Sequence, residues 1–208
     1  MYGLDTVIHT QRITQAIKIR SLACNPLMLK KIAAFLLVIA VTFNLTSCAT
    51  AGAGLKSYVD AVGGYEFLYP NGWLPVKVSN GADIVFHDMI EISENVSVVV
   101  SPVANGKTLA EIGTPTEVGY KLSKSAIAPS DSGREAELVN AASREVKGKK
   151  YYLLEFAVKL PNNQERHNLA SVAVSRGKLY TFNASAPERR WQKVKTQFES
   201  VVDSFLVY

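Results

Sequence analysis

A chain of 208 residues with 48% hydrophobic residues has room for one globular domain and a processed leader, and is too short for several domains. Its 23 Lys and Arg against 18 Asp and Glu give a net charge of +5, but residues 1 to 47 hold five of those bases and one of those acids, leaving 18 against 17. A domain so close to neutral has no long-range basic field, which excludes nucleic-acid binding driven by charge.

Residues 1 to 27 show no clear periodicity or turn chemistry, and Met28 offers a second start just ahead of Lys30 and Lys31. Ile32 to Leu45 is an almost unbroken apolar run, shorter than a comfortable transmembrane helix and preceded by positive charge, so it reads as a signal peptide. Leu45-Thr46-Ser47-Cys48 then follows the lipobox pattern. The expectation is that residues 1 to 47 are removed and that Cys48 carries a covalent diacylglycerol, whose acyl chains contribute about 0.8 kcal/mol per buried methylene to membrane attachment. With Cys24 lost and Cys48 lipidated, no disulfide is available and the fold must rest on its core. Ala49 to Gly54 is small and Gly-rich, giving a flexible tether over residues 48 to 56 and a folded domain over residues 57 to 208.

From Tyr65 onward, short apolar runs alternate with turn signals at Pro70-Asn71-Gly72, Asn80-Gly81, Asn105-Gly106, Gly148, Pro161-Asn162-Asn163 and Arg176-Gly177. Strands are predicted at Asp83 to His87, Val96 to Val100, Tyr152 to Leu160, Asn168 to Ser175 and Leu179 to Ser185, with one face of the third in the core. Hairpin-length connections imply antiparallel pairing. Thr114-Pro115-Thr116-Glu117 is a capping box with proline at the first helical position, predicting a helix to about Ala126. Trp191, Val194, Phe198, Val201, Val202 and Phe205 recur at helical spacing and predict a C-terminal helix whose apolar stripe lies on the sheet. The fold class is α+β, a single antiparallel sheet with helices packed on it.

No zinc-hydrolase motif, nucleophile elbow or phosphate loop is present in the sequence, so no catalysis and no required cofactor are expected. His87 and Asp88, with Glu91 and Glu94 nearby, form one candidate for a divalent cation, against a plain strand-end polar cluster. Closing a hairpin over Arg176-Gly177-Lys178 places His167 opposite residues 186 to 188, bringing the imidazole toward Glu188. His167 and Glu188 would supply half of a site for zinc, manganese or calcium, completed by water or a partner. Alternatively, Ser185-Ala186-Pro187-Glu188 is another capping box and Glu188 binds a backbone N–H. Near-neutral charge argues for local recognition, with Arg189 and Arg190 as the candidate partner-binding residues.

Gly64-Tyr65-Glu66-Phe67-Leu68-Tyr69-Pro70-Asn71-Gly72-Trp73 resembles the opening strand and turn of the PsbP family of extrinsic photosystem II proteins. His167-Asn168-Leu169, Val174 to Tyr180 and Ala186 to Trp191 resemble its last hairpin and final helix, and the lipobox points to the cyanobacterial lipoprotein branch. The resemblance covers most of residues 56 to 208. It implies an α-β-α sandwich around an antiparallel sheet, a monomer tied by its lipid to the lumenal side of the thylakoid membrane, and photosystem II lumenal subunits or assembly intermediates as partners. It further implies a histidine and a carboxylate, matching His167 and Glu188, as ligands of a divalent cation. Glu188 stands where plant members have Asp. The favoured reading is a lipid-anchored accessory or assembly role; the alternatives are a stoichiometric oxygen-evolving subunit retaining calcium and chloride and, apart from the resemblance, a general metal-binding lipoprotein unrelated to photosynthesis.

Overall fold

The computed structural model describes residues 54–79 and 81–208. The signal segment, Cys48, the first part of the tether and Asn80 lie outside these described residues. Among the described residues, no helix is long and apolar enough to cross a membrane.

Among the described residues, ten strands form two antiparallel sheets. A three-stranded sheet has the order β1-β2-β10, from β1 (Leu55–Asp60), β2 (Tyr65–Pro70) and β10 (Leu206–Val207). A seven-stranded sheet has the order β3-β4-β5-β9-β8-β7-β6. Its strands are β3 (Trp73–Val76), β4 (Ile84–Asp88), β5 (Asn95–Pro102), β6 (Glu135–Val146), β7 (Lys149–Lys159), β8 (Glu165–Ser175) and β9 (Lys178–Pro187). The helices are α1 (Leu109–Ile112), α2 (Pro115–Leu122) and α3 (Glu188–Asp203).

Both faces of the large sheet are covered, which makes two cores. On one face, α3 and the small sheet pack Tyr65, Phe67, Trp191, Phe198 and Phe205 against Val96, Val98, Phe182 and Ala184. On the other, α1 and α2 bring Leu109 and Val118 onto Tyr152, Leu154, Phe156, Val158 and Val172. β7 therefore buries Tyr152, Leu154, Phe156 and Val158 on one side and Tyr151 on the other. The core face expected there is the one that forms, and the other face is covered by a second layer from distant segments.

Two hairpins turn through two residues at positive φ, Lys147-Gly148 (52° and 73°) and Arg176-Gly177 (51° and 69°). Their mirror-image turns match the strand twist and set the register. For the second, Ser175 pairs with Lys178 and the ladder runs unbroken to Arg166 with Pro187. At α2, Glu117 N–H donates to Thr114 Oγ1 at 3.3 Å and Thr114 N–H donates to Glu117 Oε2 at 2.8 Å, closing the predicted capping box. The α-helix stops at Leu122, and a π-helical turn over Ser123–Ile127 carries the chain to where the helix was expected to end.

Several elements differ from expectation. β1 starts at Leu55, which pairs with Pro70, so the last two residues of the expected tether belong to a sheet. β6 was not predicted, because Glu135–Val146 is mixed in polarity and carries a bulge between Leu138 and Asn140 that breaks its alternation. Phe205 lies beyond the end of α3, in the turn into β10, yet remains buried and stacks on Phe182 at 5.1 Å. The α+β class and antiparallel pairing stand as expected, with a second small sheet added.

Candidate functional site

The start of α3 and the ends of β4, β8 and β9 meet at one end of the large sheet, because His87 pairs with Asn95, Asn95 with Ser185, and His167 with Ala186. The register thus carries His167 toward the first turn of α3. Its Nδ1 lies 3.0 Å from Glu188 Oε2, and its Nε2 lies 2.7 Å from Glu155 Oε1. One ring face stacks on Trp191 at 4.0 Å and 11°. The imidazole is buried, whereas the Glu188 side chain is 42% exposed, so the Nδ1 side is the one that water reaches.

This geometry decides between the two readings of Glu188. The capping box does not form: Pro187 is the N-cap of α3 and makes no side-chain cap bond, and Ser185 remains in β9. Ser185 Oγ donates to Asn168 Oδ1 at 2.7 Å and accepts from Arg166 Nε at 3.0 Å. Ser185 is thereby spent in the sheet, and Glu188, as the first helical residue, is left to face the histidine. Its charge is well placed at the positive end of the α3 dipole.

An imidazole nitrogen and a carboxylate oxygen 3.0 Å apart are both acceptors unless something positive lies between them. That centre is a proton on Nδ1 or a cation. Glu155 prepares for the second case. With a cation present, Glu155 would accept Nε2–H and leave the Nδ1 lone pair toward Glu188, the arrangement in which a carboxylate orients a metal-binding histidine. Zinc at 2.0–2.1 Å from each donor in a tetrahedral site would hold them roughly 3.3 Å apart, a small opening of the present gap. Among the described residues, however, no three His, Cys, Asp or Glu side chains converge as a ligand set. Two protein donors would leave the remaining positions to water.

Glu155 was not identified from sequence, where it reads as the outward residue of an amphipathic strand. Its link to His167 depends on β7 pairing with β8 so that Ala157 faces His167, placing Glu155 one diagonal step away on the same face. The Pro161-Asn162-Asn163 loop does not announce that register.

The second candidate cluster is dispersed. His87 Nδ1 bonds the carbonyl of Asp88 at 2.7 Å, while Asp88 Oδ1 accepts from Ile90 N–H and Glu91 N–H, both at 2.7 Å. Burial opposes the charge on Asp88, but these two N–H donors and the Trp73 side chain hold its carboxyl below the usual range. Glu91 accepts from Ser93 Oγ, and Glu94 binds Arg190 Nε at 2.6 Å. The acids are used to shape the β4–β5 loop rather than to converge on a cation.

Arg189 and Arg190 also separate. Arg189 is 69% exposed, with Glu91 3.9 Å away, and remains available at the surface. Arg190 is paired with buried Glu94, so the two candidate arginines differ, one held within the domain and one at the surface. Arg166 also braces the β4–β5 loop, donating to the carbonyl of Ser93 at 2.6 Å. Burial and the nearby Arg134 guanidinium lower its pKa.

The chain matches the PsbP family over residues 53–207. It is 53% identical over 178 residues to CyanoP of Thermosynechococcus vestitus, covering 84% of this chain and 97% of that one. It is 48% identical over 188 residues to CyanoP of Synechocystis sp., covering 87% and 100%. A plant relative, PsbP-like protein 1 of Arabidopsis thaliana chloroplasts, is 38% identical over 163 residues, covering 78% and 69%. The solution structure of the Synechocystis CyanoP superposes with a TM-score of 0.66 at 48% identity, covering 79% of this chain and 99% of that one. Paired across the whole described domain in sequence and in fold, the chain belongs to the PsbP family, in its cyanobacterial CyanoP branch.

Proposed function

We propose that this protein is a lipid-anchored accessory or assembly protein of photosystem II, acting without catalysis on the lumenal side of the thylakoid membrane as a monomer. The observation that carries the reading is its membership in the PsbP family over the full described domain, which supports a photosystem II-associated role. The lipobox at Leu45-Thr46-Ser47-Cys48 supports the anchor, and the processed charge near neutral supports recognition by local contacts rather than long-range steering. Arg189 is the proposed partner-facing charge. His167 Nδ1 and Glu188 are the proposed ligands of a divalent cation, zinc, manganese or calcium, with Glu155 as the positioning residue behind the imidazole. Such an ion would lend positive charge at the surface and bridge to a partner's oxygen donors through its open positions.

Affinity isolation from detergent-solubilised thylakoids tests the role. An assembly protein brings down immature photosystem II in substoichiometric amount. Recovery at fixed ratio on active, oxygen-evolving complexes would instead make it a stable subunit. Recovery of neither removes the photosystem II reading.

A further inference from the structure

The β4–β5 loop presents Met89, Ile90 and Ile92 to solvent at 61%, 92% and 69% exposure. A loop tip with three large apolar side chains usually yields by folding them under, but this one is braced from inside. The Asp88 carboxylate ties the N–H groups of Ile90 and Glu91, Asp88 N–H donates to the carbonyl of Glu94 at 3.0 Å, and Arg166 holds the carbonyl of Ser93. The brace also consumes the loop's charge: Asp88 is satisfied by backbone, Glu94 by Arg190, and Glu91 faces Ser93 and Arg189. What remains outward at the tip is Met89, Ile90 and Ile92, an exposed apolar patch with Arg189 at its rim, the kind of surface that marks a protein or membrane contact.

The chain's own route says which phase. Gly54, the first described residue, accepts a hydrogen bond from Asn71 N–H at 2.7 Å. Two residues on, Trp73 pairs with Asp88, the last residue before the loop. The tether therefore leaves the domain beside the loop. Gly54 is six residue steps beyond Cys48, a reach of at most roughly 20 Å when fully extended. The opposite end of β1 lies about 17 Å away along the strand, at the turn carrying Val62.

We infer that the Met89–Ile92 tip of the β4–β5 loop dips into the neutral headgroup and acyl boundary of the bilayer that holds the lipid on Cys48. The domain would then sit with its loop end down rather than swinging freely, bringing the His167 and Glu188 end close to the membrane surface. This rests on the anchor reading above, with the orientation set by the exposed loop side chains and by Gly54 lying beside the Asn71 turn.

The test places a reporter at each end of the full chain, Ile90→Trp or Val62→Trp, over a background in which Trp73 and Trp191 are both buried. Each protein is reconstituted into phosphatidylcholine vesicles whose acyl chains are partly brominated. The tip reporter is expected to be quenched about threefold more than the Val62→Trp reporter, as for a side chain 5–10 Å into the interface. Adding Met89→Ser and Ile92→Ser should abolish the difference. Equal quenching at both ends overturns the inference. So does a spectral shift of the Ile90→Trp protein that grows with protein concentration without lipid, which assigns the tip to a second copy. Protection by solubilised photosystem II but not by vesicles assigns it to a protein partner and overturns it likewise. The mass of the N-terminal peptide from the same sample reports lipid on Cys48, so loss of the anchor and failure of the loop are read separately.

Discussion

Replacing Arg190 by alanine tests whether charge holds the first turn of α3 to the β4–β5 loop. Glu94 is 4% exposed and meets Arg190 Nε at 2.6 Å, so the substitution strands a carboxylate inside the protein. Breaking a buried pair in this way costs about 3–5 kcal/mol. Two features reduce it here. The Arg190 side chain is 29% exposed, so water follows it out, and Arg166 lies near enough for Glu94 to feel its charge. We expect a loss of about 2–3 kcal/mol, which for a domain of this size lowers Tm by roughly 5–10 °C. Glu94→Gln should be milder, about 1 kcal/mol, because the amide oxygen still accepts from Arg190 and no buried charge remains unpaired. Arg189→Ala should change stability by less than about 0.5 kcal/mol, as expected of an exposed arginine with a distant partner. Urea unfolding of the three variants at constant m reads these costs directly. Equal losses in Arg190→Ala and Arg189→Ala would refute the division between a structural and a free arginine. That division matters for any docking experiment, since reversing both charges would confuse lost binding with lost folding.

Cys48→Ala should release the protein from membranes on fractionation, and wild-type protein with an unmodified N-terminus at Met1 would refute the anchor. Zinc binding, read by the His167 ring signals in NMR and by calorimetry for His167→Ala, should be lost in His167→Ala and Glu188→Gln and weakened about tenfold in Glu155→Gln, the usual cost of losing a residue that orients a ligand; stability loss in all three with no zinc binding by wild type would make the cluster a proton-bridged clamp. Asp88 is held below its ordinary carboxylate pKa, so its stabilisation is present above about pH 3.9 and is lost as pH falls through the lower folded value. The stability gap between wild type and Asp88→Asn should therefore narrow on acidification, and a gap constant down to low pH in urea unfolding would contradict this. Thr114→Val removes the α2 cap and should cost about 1 kcal/mol by the same method.

How far the site was legible follows the range of each interaction. The hairpin through Arg176-Gly177 is local: two adjacent residues at positive φ lock the register, and that register carries His167 to Ala186 and so to Glu188. The α2 capping box and the apolar stripe from Trp191 to Val202 are local too, set by spacings of three and four residues. Glu155 is different, because its place beside His167 depends on how a longer loop closes β7 onto β8. The fate of Ser185 was equally hidden. As a cap its hydroxyl would have served a neighbouring N–H, but Asn168 and Arg166 across the sheet offered partners only after β8 and β9 had zipped.

The sequence by itself determined the alternation of short strands and turns, the two main helices, the lipobox and the approach of His167 to Glu188, since each depends on residues close in the chain or joined by a tight turn. Tertiary structure alone decided which carboxylate turns the imidazole and which arginine is free. It also decided that a second sheet, drawn from both ends of the described domain, closes the core over α3. Those outcomes arise from pairings between residues far apart in sequence, where register and burial are settled only when the layers come together.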